Sequence, residues 1–203
     1  MSKIIVPAIA ALCLCTGAFA APPPQADVAQ GDVRRAKSAP VPGSVATTVS
    51  VPSTGKDFDA LQSAVTDAWE NMPLTARHVM FVAKTPENYG AWVERPTNVF
   101  KVGEKLITYA EPIGYTWKPR GDTYDFGLTT DFAVKSADGK ILGGQEKFFK
   151  VEKSSHAKMQ ELMLTMTMSL DGITAGKYVL EYTLHDNGSD KTTTFDQPFT
   201  IGE

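Results

Sequence analysis

Only two cysteines occur in the 203 residues, Cys13 and Cys15, and both fall within the first twenty. The rest of the chain has no thiol nucleophile, no disulfide staple and no thiolate metal ligand, so its fold must rest on an ordinary hydrophobic core. Histidine is nearly as scarce. His78, His156 and His185 are the three in the chain, and none stands in the H-E-x-x-H spacing of a helical zinc site. No apolar run reaches the roughly 20 residues of a membrane-spanning helix. No G-x-S-x-G turn or phosphate-cradling glycine loop is present. Positive charge is not in excess either: 20 Lys and Arg against 23 Asp and Glu give a net charge of −3. That balance argues against nucleic acid as a partner, which calls for a concentrated basic face.

The first twenty residues read as a cleavable secretory signal. Lys3 supplies the positive start, Ile4 to Leu14 an apolar run broken by Pro7, and Ala18-Phe19-Ala20 the small residues of a cleavage site. The mature chain is then expected to start at Ala21, to carry nineteen basic and twenty-three acidic side chains, and to contain no cysteine. A lipoprotein signal needs a small residue before the acylated cysteine, and Leu12 and Leu14 do not suit that position. A periplasmic or secreted location in a bacterium follows as the expectation.

Residues 21–56 hold Pro22-Pro23-Pro24, Pro40, Pro42 and Pro52 among Ala, Ser, Thr, Gln and Gly, with no leucine or aromatic residue. Such a segment buries too little apolar area to offset its backbone entropy and is expected to be a disordered linker. Arg34-Arg35-Ala36-Lys37 is its charge cluster, read as a solvated patch. The folded unit is expected over residues 57–203. Phe58, Leu61, Val65, Ala68, Trp69 and Met72 recur at helical spacing, with Asp57 as the expected N-cap and Pro73 as the stop. The helix is expected to pack Phe58, Leu61, Val65 and Trp69 against the domain.

After Pro73 the period changes to two. Strands are predicted over 74–84, 104–113, 123–136, 141–152, 161–170, 177–186 and 192–201, with Asp138-Gly139 and Asn187-Gly188 as hairpin turns. Seven or eight such strands call for two packed antiparallel sheets. The run from Leu170 through Asp171-Gly172 and Gly176 to Tyr178, at the mouth of the next strand, resembles the tyrosine corner of immunoglobulin-like and fibronectin-type sandwiches. The resemblance covers about residues 162–201 and implies a sandwich in which the tyrosine hydroxyl ties back to the preceding loop.

Several constellations could carry chemistry. His156, Met159, Met163, Met166 and Met168, together with His78 and Met80, have the soft donors that suit copper. Met166 and Met168 also share the inward parity of Leu162, Leu164 and Leu170, which reads as core filling. Asp125 with Asp131, or Glu111 with Glu146, could be drawn as the paired carboxylates of a hydrolase. Residues 186–190 are too short for a calcium loop. Arg120-Gly121-Asp122 matches an adhesion tripeptide of three common residues. Gly143-Gly144 reads as a bulge or a close-approach site in a strand.

The segment 109–120 stands out. Pro112, Gly114 and Pro119 argue that it leaves the sheet, yet it carries Tyr115, Trp117, Lys118 and Arg120. Aromatics beside cations on a loop are what interface anchors use; the other reading folds the two rings back over the end of the sheets. The sequence thus predicts a non-enzymatic binding or structural module of the envelope, with no cofactor, that engages another envelope protein or a glycan through these four residues. A copper-binding protein and a carboxylate-dependent hydrolase are the alternatives.

Overall fold

Alternating side chains converge on one core shared by two sheets. The computed structural model describes residues 54–202; the expected signal and all but the last three positions of the expected linker lie outside the described residues. Helix α1 (Gly55–Asn71) is followed by nine strands: β1 (Thr75–Phe81), β2 (Val99–Phe100), β3 (Leu106–Ile113), β4 (Lys118–Arg120), β5 (Thr123–Ser136), β6 (Ile141–Ser155), β7 (Leu164–Met168), β8 (Gly176–Asp186) and β9 (Thr192–Ile201). One sheet has the order β1-β3-β7. The other runs β2-β9-β8-β5, with β4 and β6 also paired to β5. Leu106, Leu164, Met166 and Met168 of the smaller sheet meet Leu128, Val134, Leu180, Tyr182 and Leu184 of the larger in one cluster. Each of the Leu, Val and Met side chains among them is worth about 1.5–3 kcal/mol when withdrawn from water.

The long strands fall where alternation placed them. β5 and β9 have the predicted ends, and the Asp138-Gly139 turn is closed by Ser136 N–H donating to Lys140 O and Gly139 N–H to Ser136 O, each at 2.9 Å, with Gly139 at φ +83°. The two strands beyond the predicted set, β2 and β4, hold two and three residues, too few to show a period. β7 is shorter than its burial pattern, because β3 pairs with it from Leu106↔Met168 only as far as Ala110↔Leu164. Leu162 and Leu170 stay buried beyond the ladder. Burial outlasts pairing here.

α1 departs from expectation in two ways. Its N-cap is Thr54 rather than Asp57: the Thr54 hydroxyl accepts from Asp57 N–H, and the Asp57 carboxylate accepts from Thr54 N–H in return. This capping box starts the helix at Gly55, inside the stretch read as linker. The apolar face is also not packed as expected, since Phe58, Leu61 and Val65 remain 58 %, 43 % and 52 % exposed and only Trp69 is buried. The helix docks through its last turn. There Lys191 Nζ donates to Glu70 O at 3.0 Å and to Gly114 O at 2.9 Å, placing a cation at the negative end of the helix dipole.

The corner read from the sequence is formed. Tyr178 Oη donates to Thr174 O at 2.9 Å, and the ring stacks on Phe199 at 5.5 Å. Replacing Tyr178 with Phe keeps the ring and removes the bond. Denaturant melts should show a loss of about 1 kcal/mol; no measurable loss would mean that the hydroxyl does not hold the corner.

Candidate functional site

The segment that carries all four predicted binding residues splits in two. From Glu111 onward β3 has only β1 beside it, which leaves room for Pro112. Gly114 then turns the chain at φ +78°, where a Cβ would stand 2.6 Å from Pro73 O. Tyr115 and Trp117 point inward. Tyr115 is fully buried and Trp117 is 6 % exposed, so the expectation of two exposed anchors is corrected. Their polar ends explain the burial: Tyr115 Oη and Trp117 Nε1 both donate to Met159 O, at 2.8 and 2.7 Å. Trp69 closes the cluster, stacked on Trp117 at 5.1 Å, edge-on to Tyr115, with Nε1 donating to Tyr115 O at 2.8 Å. With its polar atoms satisfied, the group gains both area burial and favourable ring geometry.

Asp186 locks the same segment from the other side. Its buried carboxylate accepts from Thr116 N–H and Gly188 N–H at 3.0 Å and from Ser189 Oγ at 2.5 Å. Residues 186–190 are a hairpin turn whose leading carboxylate is occupied by the protein's own donors.

Lys118 and Arg120 go the other way. They lie on β4, against β5 rather than on a free loop, and both are exposed. With Asp125, Phe126, Gly127, Glu152, Lys153, Ser154, Asn187 and Gly188 they line an open groove of about 400 Å³. Two of its anions are already engaged. Arg120 Nη1 lies 3.1 Å from Asp125 Oδ2, and Lys150 Nζ 2.7 Å from Glu152 Oε1. The Ser154 hydroxyl, and then Arg120, hold the Asp125 carboxyl below the usual carboxylate range. Among the described residues, Lys118 and Lys153 have no ion-pair partner, so the groove presents two uncompensated cations. Arg120-Gly121-Asp122 forms the tip between β4 and β5, where Asp122 Oδ2 stands 3.5 Å from His156 Nδ1.

The remaining constellations are placed as follows. Met166 and Met168 fill the core, while Met159 is exposed. Among the described residues, no group of three or more His, Asp or Glu could hold a metal. Asp125 and Asp131 sit six positions apart on β5, about 20 Å along an extended strand, too far to act on one bond. Asp131 is held instead by Lys147 N–H and His185 Nε2, each at 2.7 Å; burial pushes its carboxyl up, but these two partners outweigh that and leave it below the usual range. Glu111 and Glu146 belong to different sheets.

One cluster escaped sequence reasoning. Glu111 is 3 % exposed, and its Oε1 accepts from Tyr109 Oη at 2.7 Å, while Gly90 N–H donates to Tyr109 Oη at 3.0 Å. Burial, aided by the Glu111 charge, pushes the Tyr109 phenol up, so it stays a donor. His78 Nε2 lies 3.8 Å from Glu111 Oε2, at a β1 bulge where its φ is +48°. Trp92 packs between the His78 and Tyr109 rings at about 5 Å from each. The Tyr109-x-Glu111 spacing could have shown two side chains on one strand face. Tyr89, whose side chain bonds to Glu111 and Arg77, comes with Gly90 and Trp92 from a stretch with no period.

No protein-family model matches this chain, and no curated protein matches its sequence.

The burial of Trp117 reverses what an exposed anchor would show. Trp117→Ala should cost about 3–5 kcal/mol of stability, read by denaturant melts. A loss below about 0.5 kcal/mol, as at an exposed site, would contradict the packing described.

Proposed function

We propose that the protein is an exported, non-enzymatic binding module of the bacterial envelope, with the groove beside β4 as its binding surface and an acidic protein or glycan as its partner. The observation that carries this reading is the exposure of Lys118 and Lys153 across one groove whose anions are already neutralised by Arg120 and Lys150. A partner bearing carboxylates supplies the missing charge, and complementary fields raise the rate of encounter as well as its specificity. Tyr115 and Trp117 serve this surface indirectly, by fixing the segment from which Lys118 and Arg120 project.

The domain itself is read as immunoglobulin-like or fibronectin-type. Supporting this are the Tyr178–Thr174 bond, the placement of β8 between β5 and β9 in a sheet that is antiparallel except for the two-residue β2–β9 pair, and the antiparallel sheet of β1, β3 and β7. In such sandwiches the corner tyrosine stands near the start of the strand flanked in this way. Export rests on the Ala18-Phe19-Ala20 site and the apolar run before it.

Lys118→Glu combined with Lys153→Glu should reduce capture of acidic partners from native envelope extract about ten-fold, more at low salt, while shifting folding stability by less than about 0.5 kcal/mol. Equal capture by wild type and the double variant would remove the groove as the binding surface.

A further inference from the structure

β6 is the open side of the larger sheet. It is 15 residues long and, among the described residues, pairs with β5 alone, so its other side has no strand beside it. A long free edge is a template for another strand unless something blunts it. A bulge does so as far as Lys147, whose φ is +51°, where the register against β5 shifts between Thr130 and Phe132. From Phe149↔Thr130 to Ser155↔Tyr124 the ladder is regular, and this run holds neither proline nor glycine. Phe149 and Val151 sit opposite the buried Thr130 and Leu128, so they lie on the inner face, half-buried at the margin of the core. Lys150 and Glu152 stand on the outer face, 55 % and 63 % exposed.

The order of these side chains selects the occupant. Lysine is a common guard of an edge, but here the strand itself carries the matching acid. When two identical antiparallel strands pair about a two-fold axis, opposed residues share a face and the axis passes between one residue and its own copy. With the axis at Val151, Lys150 of each copy lies opposite the partner's Glu152, and the two Val151 side chains meet on the inner face. Phe149 then lies opposite the partner's Lys153, whose apolar stem covers the ring. An axis at Lys150, Glu152 or Lys153 would oppose two like charges, and one at Phe149 would draw the bulge at Lys147 into the ladder. Val151 is the one centre of this run that satisfies every pair. We propose that β6 is the interface of a symmetric dimer, in which residues 149–153 of two copies pair antiparallel about an axis at Val151 and join the two larger sheets into one. Growth stops at two copies, because the opposite edge of that sheet is β2, a strand of two residues. The proposal does not rest on the groove beside β4.

Sedimentation of the chain over a concentration series up to about 1 mM, the range in which so small an interface assembles, tests this. The wild type should pass from monomer to dimer. Lys150→Glu alone and Glu152→Lys alone each oppose like charges on both sides of the axis and should weaken self-association about ten-fold or more. An equimolar mixture of the two variants restores opposite charges at both positions and should dimerise as the wild type does, a rescue that misfolded chains could not give. A wild type that stays monomeric throughout overturns the proposal, as does a dimer indifferent to either substitution. A mixture that associates no more tightly than the separate variants overturns the register at Val151, and the interface with it.

Discussion

Trp69 ties the helix to the sheets, and most of the domain's architecture at that end follows from how its indole is held. The ring stacks on Trp117, meets Tyr115 edge-on and donates to the Tyr115 carbonyl. Met159 O receives the two remaining polar hydrogens of the cluster, from Tyr115 and Trp117. Three aromatic rings are thereby buried without an orphaned polar atom, the condition under which Tyr and Trp can serve as core. The carboxylate of Asp186 and the ammonium of Lys191 brace the same turn from the end of β8 and from the residue before β9. Lys118 and Arg120 emerge immediately after Trp117, so the rigidity of the buried cluster sets the geometry of the exposed groove.

The sheets were legible in the sequence because a period of two is forced wherever one strand face is buried. β5 and β9 show this to the residue, and the corner at Tyr178 was readable from its turn chemistry. What escaped has physical reasons too. Periodicity marks an apolar helix face but not what covers it, so Phe58, Leu61 and Val65 looked like Trp69 although only Trp69 reaches the domain. In segment 109–120 the breakers Pro112, Gly114 and Pro119 were real signals of a turn. They could not tell an outward loop from one whose rings fold back, since that depends on acceptors as distant as Met159 O.

The site divides along the same line. Lys118 and Arg120 were found by sequence and lie at the surface; Lys153, which faces them, sits in β6, where alternating charge reads as a solvated strand. Glu111, Tyr109 and His78 were visible singly. Their meeting depends on a bulge in β1 and on Tyr89, Gly90 and Trp92, which no pattern connects to β3. Long-range polar contacts of this kind are properties of the fold.

The central claim is that the Trp69–Trp117 contact couples helix to sheet, and a double-mutant cycle measures it most directly. Trp69→Ala, Trp117→Ala and the pair would be melted in denaturant under one set of conditions. The account predicts a coupling of about 0.5–1.5 kcal/mol, the value of a well-oriented aromatic pair beyond its area. Additivity within about 0.3 kcal/mol, as for sites that share no partner, would contradict it.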